Sequence, residues 1–344
     1  MEETKGAITA EEKKEEAKKS SIYERLAKEV KESSISEEDK TRALSRLAKI
    51  SKKTVHLMLV GPTAAGKSST INALFDMEKA KVGIGVDPET QRISSFVLEN
   101  LTIWDTPGLG DGIEKDAKYM GMIREKLSEL DENGDPLVDL VLVIADASQK
   151  DLGTVYDCIN SVLIPSLGKD AERRILIGLN QADMAMKGKH WNETLNCPDA
   201  VLTEFLEKKC ESVKRRIEES TGITFKPVYY AAGYKEEGGT QKPYNVIRLL
   251  YTIISAVPKE KRLAFADVLN PDPEMWEDSD EKKNYKAETG KKFWEAVKES
   301  ISECADNGAE IGYSIARWPG EILGRAIGGV TGVFVGIFKG IFSR

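Results

Sequence analysis

The spacing of apolar residues predicts helices in the first part of the chain. Apolar side chains recur at helical intervals in two otherwise polar stretches, 22–30 and 44–50. Between them, Ser36 is followed three residues later by the acidic Asp39, which is the pattern of a helix start in which a hydroxyl caps the first turn. We therefore predict one or two helices before residue 52.

From Val55 onward, short apolar runs alternate with segments of helical length. The predicted strands are VHLMLV (55–60), two strands in RISSFVLENLTIWD (92–105) with a turn at Glu99–Asn100, DLVLVIAD (139–146), RILIGLN (174–180) and PVYYAA (227–232). The predicted helices lie near 68–76, 115–130, 153–164, 199–220 and 244–256. Apolar runs of this kind suit strands buried on both faces, and the alternation predicts an α/β, three-layer, doubly wound and mostly parallel sheet.

The alternation of predicted strands and helices ends after residue 257. A polar, proline-punctuated stretch, 271–286, indicates a linker, and helical periodicity returns at 291–305. We predict four parts, which are a charged helical extension (1–52), an α/β domain (53–257), a linker (258–290) and a C-terminal helical segment (291–344).

The C-terminal segment carries a glycine at nearly every fourth position from Gly308 to Gly340, and residues 326–338 contain no charge. Repeated glycine is costly in a water-exposed helix, so close packing against another helix would explain it. Flanking cations and Trp318 suit a helix lying at a membrane surface, while the apolar run is short for a spanning helix. Membrane contact and packing on the protein or on a second copy both remain open.

Composition narrows the function classes. The chain is 40% apolar and 31% charged with a net charge of −7, so no basic field favours nucleic acid as a specific partner. Its cysteines and histidines are too scattered for a zinc site, and its charged N-terminus lacks the apolar core of a secretory signal. We expect a cytoplasmic protein, with a peripheral place at the inner membrane if the C-terminal segment binds lipid.

The stretch GPTAAGKS (61–68) matches G-x-x-x-x-G-K-[ST], the phosphate-binding loop or P-loop. It follows a predicted strand and opens a predicted helix, as the mechanism requires, because backbone N–H groups at a helix N-terminus surround a phosphate. Lys67 is then expected to bridge β- and γ-phosphate oxygens, and the Ser68 hydroxyl is expected to bind Mg²⁺.

Two further motifs follow strands. In WDTPGLG (104–110), Asp105 stands at a strand end, where it can hold the Mg²⁺ shell, and Gly108 can bring its N–H to a γ-phosphate. In NQAD (180–183), the carboxylate of Asp183 can accept hydrogen bonds from N1–H and N2–H₂ of guanine, a pair of donors that adenine lacks. Together the motifs predict a site for a guanine nucleotide and Mg²⁺.

The ordered set of GPTAAGKS, Thr90, DTPG, NQAD and YAAG resembles the TRAFAC-class GTPases of the Era-like branch, over about residues 36–257. The chain looks most like small bacterial GTPases in which a short helix pair precedes the GTPase domain, or G domain, and it is distantly similar to dynamin and immunity-related GTPases. The resemblance implies that Thr90 closes on Mg²⁺ and the γ-phosphate, and that Ala231, Ala232 and Gly233 support the guanine through backbone amides.

The sequence departs from the family pattern in places that bear on hydrolysis and affinity. Leu109 stands where many members carry a glutamine that orients the attacking water, and an apolar side chain cannot do this. Thr63 stands where other members need a glycine to admit an arginine finger, and Ala64 stands where potassium-activated members carry an asparagine. Gln181 replaces a lysine that packs along the base. Slow intrinsic hydrolysis, raised by a partner or by dimerisation through the G domain or the C-terminal helix, is therefore expected.

The expected function is a slow GTPase that acts as a conformational switch, with a GTP-driven membrane assembly protein or a ribosome-associated GTPase as alternatives. Its expected ligands are GTP or GDP and Mg²⁺. The catalytic candidates are Lys67, Thr90 and Gly108, and the metal-binding candidates are Ser68, Thr90 and Asp105. The nucleotide-binding candidates are Gly61, Pro62, Thr63, Ala64, Ala65, Gly66, Lys67, Ser68, Ser69, Asp105, Gly108, Asn180, Gln181, Asp183, Ala231, Ala232 and Gly233.

Overall fold

The computed structural model describes residues 21–32, 36–79, 81–82, 92–236 and 239–302. The α-helices are α1 (Ile22–Glu32), α2 (Glu37–Ile50), α3 (Lys67–Leu74), α4 (Ile113–Ser128), α5 (Gly153–Cys158), α6 (Ile164–Leu167), α7 (Ala171–Arg174), α8 (Ala200–Thr221), α9 (Val246–Ala256) and α10 (Tyr285–Ser302). The strands are β1 (Val55–Val60), β2 (Lys81–Val82), β3 (Ser94–Leu98), β4 (Leu101–Asp105), β5 (Leu140–Asp146), β6 (Ile175–Asn180), β7 (Trp191–Asn192), β8 (Cys197–Pro198), β9 (Val228–Tyr229), β10 (Tyr234–Glu236) and β11 (Gly239–Gln241).

The main sheet has the strand order β2-β3-β4-β1-β5-β6-β9. The neighbours from β4 to β9 run parallel, whereas β2 and β3 are antiparallel additions at one edge. The tight turn between β3 and β4 lies at Glu99, whose φ is +41°. The predicted doubly wound, mostly parallel α/β fold is thereby confirmed.

Strand β1 shows why the predicted runs are apolar throughout rather than alternating. Leu57 and Leu59 lie in one buried cluster with α9 and α10, whereas Met58 and Val60 lie in a second cluster with α4 and α8. Helices thus cover both faces of the sheet, and both side-chain sets of the central strand are removed from water.

The N-terminal helix pair packs on the first of these clusters. Ile22, Leu26 and Val30 of α1 are buried there, as their helical spacing predicts. The Ser36 hydroxyl accepts a hydrogen bond from the backbone N–H of Asp39 at 3.1 Å and so caps α2. Arg25 of α1 forms an ion pair with Asp267, which ties this helix to the segment that follows α9.

Residues 258–290, predicted to be a linker, differ from that expectation. They contain 3₁₀ turns at Lys259–Phe265 and at Pro273–Trp276. Phe265 and Trp276 are fully buried in the same cluster as the sheet and α9. Residues 262–266, 268 and 269 are buried as a run, which includes the polar Arg262, and Thr289 is buried as well. This stretch therefore packs on the domain, while the division of the chain into the predicted parts remains a prediction.

The glycine-spaced segment from 303 to 344 lies outside the described residues, as does the charged stretch from 1 to 20. Within the described part of the chain, none of the helices combines the length and the apolar character that a membrane crossing requires.

Candidate functional site

The P-loop connects the end of β1 to the start of α3. Gly66 precedes the helix with φ of +86°, and Lys67 and Ser68 are the first residues of α3. The Thr70 hydroxyl donates to the Gly66 carbonyl at 2.7 Å and shares a second hydrogen bond with the Tyr230 hydroxyl at 2.7 Å. The first helical turn, which would carry the phosphates, is thereby held from below by two buried side chains.

Asn180 joins the P-loop to the segment after β9. Its side-chain amide Nδ2 donates to the Ala65 carbonyl at 3.0 Å, and its Oδ1 accepts from the Ala232 backbone N–H at 3.0 Å. The residue is 3% exposed. A Cβ on Gly66 would lie 2.1 Å from Asn180 Nδ2, so only glycine fits at that position. The three segments that sequence analysis singled out are therefore connected through one buried amide.

A cavity of about 460 Å³ opens between these segments. Its volume is within the usual range for a small-molecule site. It lies beyond the carboxyl ends of β1 and β6, where ligands bind in open α/β sheets. Its lining residues are Ala64, Gly66, Lys67, Ser68, Ser69, Asn180, Gln181, Asp183, Met184, Ala232, Gly233, Tyr234 and Gln241.

Asp183 presents its carboxylate to this cavity. Burial raises the pKa of Asp183, and the backbone amides of Asp183 and Met184 oppose that rise. A partly buried carboxylate gains most from a ligand that offers it two N–H donors, because such a ligand replaces the hydration it has lost. Guanine offers these two donors.

Gln181 takes a role that the sequence did not suggest. Its backbone is left-handed, with φ of +59°, and its side-chain Nε2 donates to the P-loop carbonyl of Ala64 at 2.7 Å. The glutamine thus makes a second side-chain link from the β6 end to the P-loop, alongside that of Asn180.

Lys67 and Asp105 face each other at the phosphate end of the site. The Lys67 ammonium donates to the carbonyls of Gly61 and Pro62, each at 3.0 Å. Burial lowers the pKa of Lys67, while the charges of Asp105 and Asp111 oppose that change. Burial raises the pKa of Asp105, and the charge of Lys67 opposes that rise. A bound phosphate would stabilise the ammonium, and a bound cation would stabilise the carboxylate.

One structural observation supports the binding of a divalent cation at the phosphate end of the site. The Oδ1 atom of Asp105 is buried and has no hydrogen-bond partner among the described residues. The register pairs Asp105 with Leu59, which places the carboxylate beside the end of β1, next to the P-loop. Asp105 and Ser68 are therefore the described residues that could hold Mg²⁺, and Thr90 lies outside the described part of the chain.

The segment after Asp105 lies directly on the P-loop. A Cβ on Gly108 would come within 2.3 Å of the Thr63 hydroxyl and 2.8 Å of the Thr63 nitrogen. The Thr63 N–H donates to the Leu109 carbonyl at 2.8 Å, and the Leu109 N–H donates to the Gly61 carbonyl at 3.2 Å. The Leu109 side chain is 1% exposed and packs in the core, so it points away from the site.

The structure also adds residues to the site that sequence analysis did not name. Met184, Tyr234 and Gln241 line the cavity, the last two from the β10 and β11 hairpin. Gly233 touches this hairpin, since a Cβ there would meet the Gln241 carbonyl at 2.5 Å. The only sequence signal for the hairpin was the pair Gly238–Gly239 between polar residues.

Three comparisons relate the chain to known proteins. Residues 56–181 match the family described as 50S ribosome-binding GTPase. Protein YfjP of Escherichia coli K12 is 30% identical over 130 residues, and protein YkfA of the same organism is 29% identical over 131 residues. These matches cover 37% of this chain, and the chain covers 41% of the length of each relative.

Among solved structures, Toc33 from Arabidopsis thaliana in complex with GDP and Mg²⁺ is similar, with a TM-score of 0.40 and 16% sequence identity. The alignment covers 67% of this chain and 96% of Toc33. The family match, by contrast, spans the P-loop, DTPG and the start of NQAD, which the fold brings to one edge of the sheet. Residues 56–181 therefore contain a GTP-binding domain of the P-loop GTPase class.

Proposed function

We propose that the protein binds GTP with Mg²⁺ and hydrolyses it slowly to GDP and phosphate, as a conformational switch. The observation that carries this proposal is the bridge made by Asn180, whose amide joins the P-loop to Ala232. The bridge fixes the phosphate and base ends of the cavity relative to each other, as recognition of a whole nucleotide requires. A glycine-rich turn without a nucleotide would not need this connection.

Each part of the cavity has a role in this proposal. Lys67 would hold β- and γ-phosphate oxygens, while the α3 N-terminus would receive the phosphate charge. Asp183 would select guanine, with Ala232 and Gly233 beside the base. Of the three backbone amides expected to support the base, that of Gly233 is the candidate donor, because the Ala231 N–H donates to the Tyr244 carbonyl and the Ala232 N–H to Asn180 Oδ1. Mg²⁺, held by Ser68 and Asp105, would supply neutralisation of the charge on the phosphates.

The Era-like assignment is part of the same proposal. The helix pair α1 and α2 before the sheet supports it, because the resembling small bacterial GTPases carry such a pair at this position. Activation by a partner, or by dimerisation through the G domain or the C-terminal helix, is proposed because Leu109 is turned into the core and cannot orient water.

Purified protein at low concentration should hydrolyse GTP well below the typical enzyme turnover of about 10 s⁻¹. The physical reason is that the usual water-orienting position is occupied by a buried leucine. Phosphate release with GTP, measured across protein concentrations, checks this, with ATP as the matched control substrate. Fast turnover that does not change with concentration, lipid or added extract would contradict slow hydrolysis, and absence of GTP binding would refute the function.

A second candidate is a GTP-driven assembly protein at the inner membrane. Sequence alone favours it, through the glycine-spaced segment and the uncharged stretch 326–338. A third, association with the ribosome, is favoured by the description of the matched family. Sedimentation with liposomes and with ribosomes, each with GTP and with GDP, would separate the two.

Deleting residues 319–344 should leave GTP binding nearly intact but abolish liposome association or self-association. Each large apolar side chain buried at a bilayer or in a groove contributes roughly 1.5–3 kcal/mol, so several together would hold the segment in place. Liposome flotation and analytical ultracentrifugation of parent and truncated protein measure both properties. A truncated protein that still binds lipid and still associates as the parent does would remove the functional role of this segment.

A further inference from the structure

Because the side chain of Leu109 is buried and apolar, the proposed reaction lacks the residue that usually orients the attacking water. Hydrolysis needs a polar group that accepts a hydrogen bond from the attacking water near the γ-phosphate, and Leu109 offers none. A replacement must come from a residue close to the P-loop and to Lys67. It must also keep one acceptor atom free for the water.

Asp111 is placed in this way. Its Oδ1 accepts a hydrogen bond from the Thr63 hydroxyl at 3.1 Å, and Thr63 is the P-loop residue that Gly108 touches. The charge of Asp111 opposes the lowering of the pKa of Lys67, which places this carboxylate within electrostatic range of the phosphate-binding ammonium. Because Thr63 engages Oδ1, the second oxygen of Asp111 is left for another donor.

The backbone that carries Asp111 is anchored just before that residue. Leu109 is buried and donates its N–H to the Gly61 carbonyl. The intervening Gly110 N–H donates to the Asp116 carboxylate on α4 at 2.8 Å. Asp111 itself is exposed, so it is free to meet solvent water at the open side of the site.

We propose that Asp111 orients the attacking water, in place of the missing glutamine, and that Thr63 positions Asp111. This inference rests on the proposed GTP hydrolysis. The water oxygen forms a bond to the γ-phosphorus, the bond from that phosphorus to the bridging oxygen breaks, and its electron pair leaves with GDP. The water proton passes to the released phosphate, so Asp111 ends the cycle unchanged.

The test uses Asp111→Ala in the full chain under single-turnover conditions with excess protein. The cleavage rate of bound GTP should fall about 100-fold, the lower end of the usual contribution of a positioned acid or base. The affinity for a non-hydrolysable GTP analogue should stay within about twofold, because Lys67 and Asp183 are untouched. Thr63→Val should produce a smaller fall in rate, since it removes only the group that positions the carboxylate.

Glu114→Ala is the matched control, because it removes an exposed carboxylate from the first turn of α4, three residues away. It should cleave GTP at the parent rate. Parent-like cleavage in Asp111→Ala would overturn the inference while leaving GTP hydrolysis in place. So would tighter analogue binding without slower cleavage, which would mean that the Thr63–Asp111 bond only holds the nucleotide-free arrangement. A parent that binds GTP but never cleaves it would overturn the proposed hydrolysis itself.

Discussion

Asp183→Asn should shift the base preference of the protein from guanine to xanthine. The substitution replaces one carboxylate oxygen by an NH₂ group, which then faces the guanine N2–H₂ donor instead of accepting from it. Xanthine has a carbonyl oxygen at that place and would accept from the new amide. A site built around such paired hydrogen bonds loses about 10⁴-fold when one pair is broken, so GTP affinity should fall by roughly that factor.

The measurement is competition of GTP and xanthosine triphosphate against a fluorescent nucleotide, for parent and variant. Glu193→Gln serves as control, because it makes the same chemical change at an exposed residue outside the cavity lining. If Asp183→Asn binds GTP with the affinity of the parent and shows no increase in affinity for xanthosine triphosphate, then the carboxylate does not determine the base preference.

Lys67→Ala should remove most GTP binding and turnover without unfolding the protein. The variant would lack two or more charge-assisted hydrogen bonds to phosphate, worth about 1.5–3 kcal/mol each, which corresponds to roughly 10²- to 10⁴-fold in affinity. Apart from phosphate, the ammonium donates to the Gly61 and Pro62 carbonyls, so the substitution removes only these two hydrogen bonds from the folded protein. Calorimetric titration with GTP and a thermal melt measure affinity and stability together.

Lys115→Ala is the control for loss of one positive charge, since Lys115 is exposed on the first turn of α4. It should bind GTP as the parent does. An unchanged GTP affinity in Lys67→Ala would show that the P-loop does not hold the phosphates. A strongly lowered melting temperature would instead assign Lys67 a structural role.

The sheet could be predicted from the sequence because its central strands are short runs of apolar letters with no competing helical period. The motifs could be predicted because each one depends on neighbours in the chain. The bridge by Asn180 could not, since its partners Ala65 and Ala232 lie 115 and 52 residues away. A local sequence pattern does not predict which distant backbone groups a buried side-chain amide will bind.

The Thr63–Asp111 hydrogen bond and the packing of residues 258–290 could not be predicted from the sequence either. The Thr63–Asp111 bond joins residues 48 positions apart, and neither residue stands out by type. The stretch 258–290 is polar on average, although its anchor Phe265 lies in a short apolar run and its anchor Trp276 is followed by acidic residues. A linker and a polar segment pinned by a few buried aromatic rings have the same composition, and only the packing of the folded chain distinguishes them.

The packing of residues 259–302 determines which piece of this protein can be produced on its own. Phe265, Trp276 and Phe293 are fully buried against the sheet side that carries α9. A recombinant fragment ending at Val257 would expose that side, at a cost of roughly 1.5–3 kcal/mol for each large apolar side chain left facing water. Since a domain is stable by only about 5–15 kcal/mol, such a fragment would be prone to aggregate, whereas one spanning 21–302 retains the whole described core.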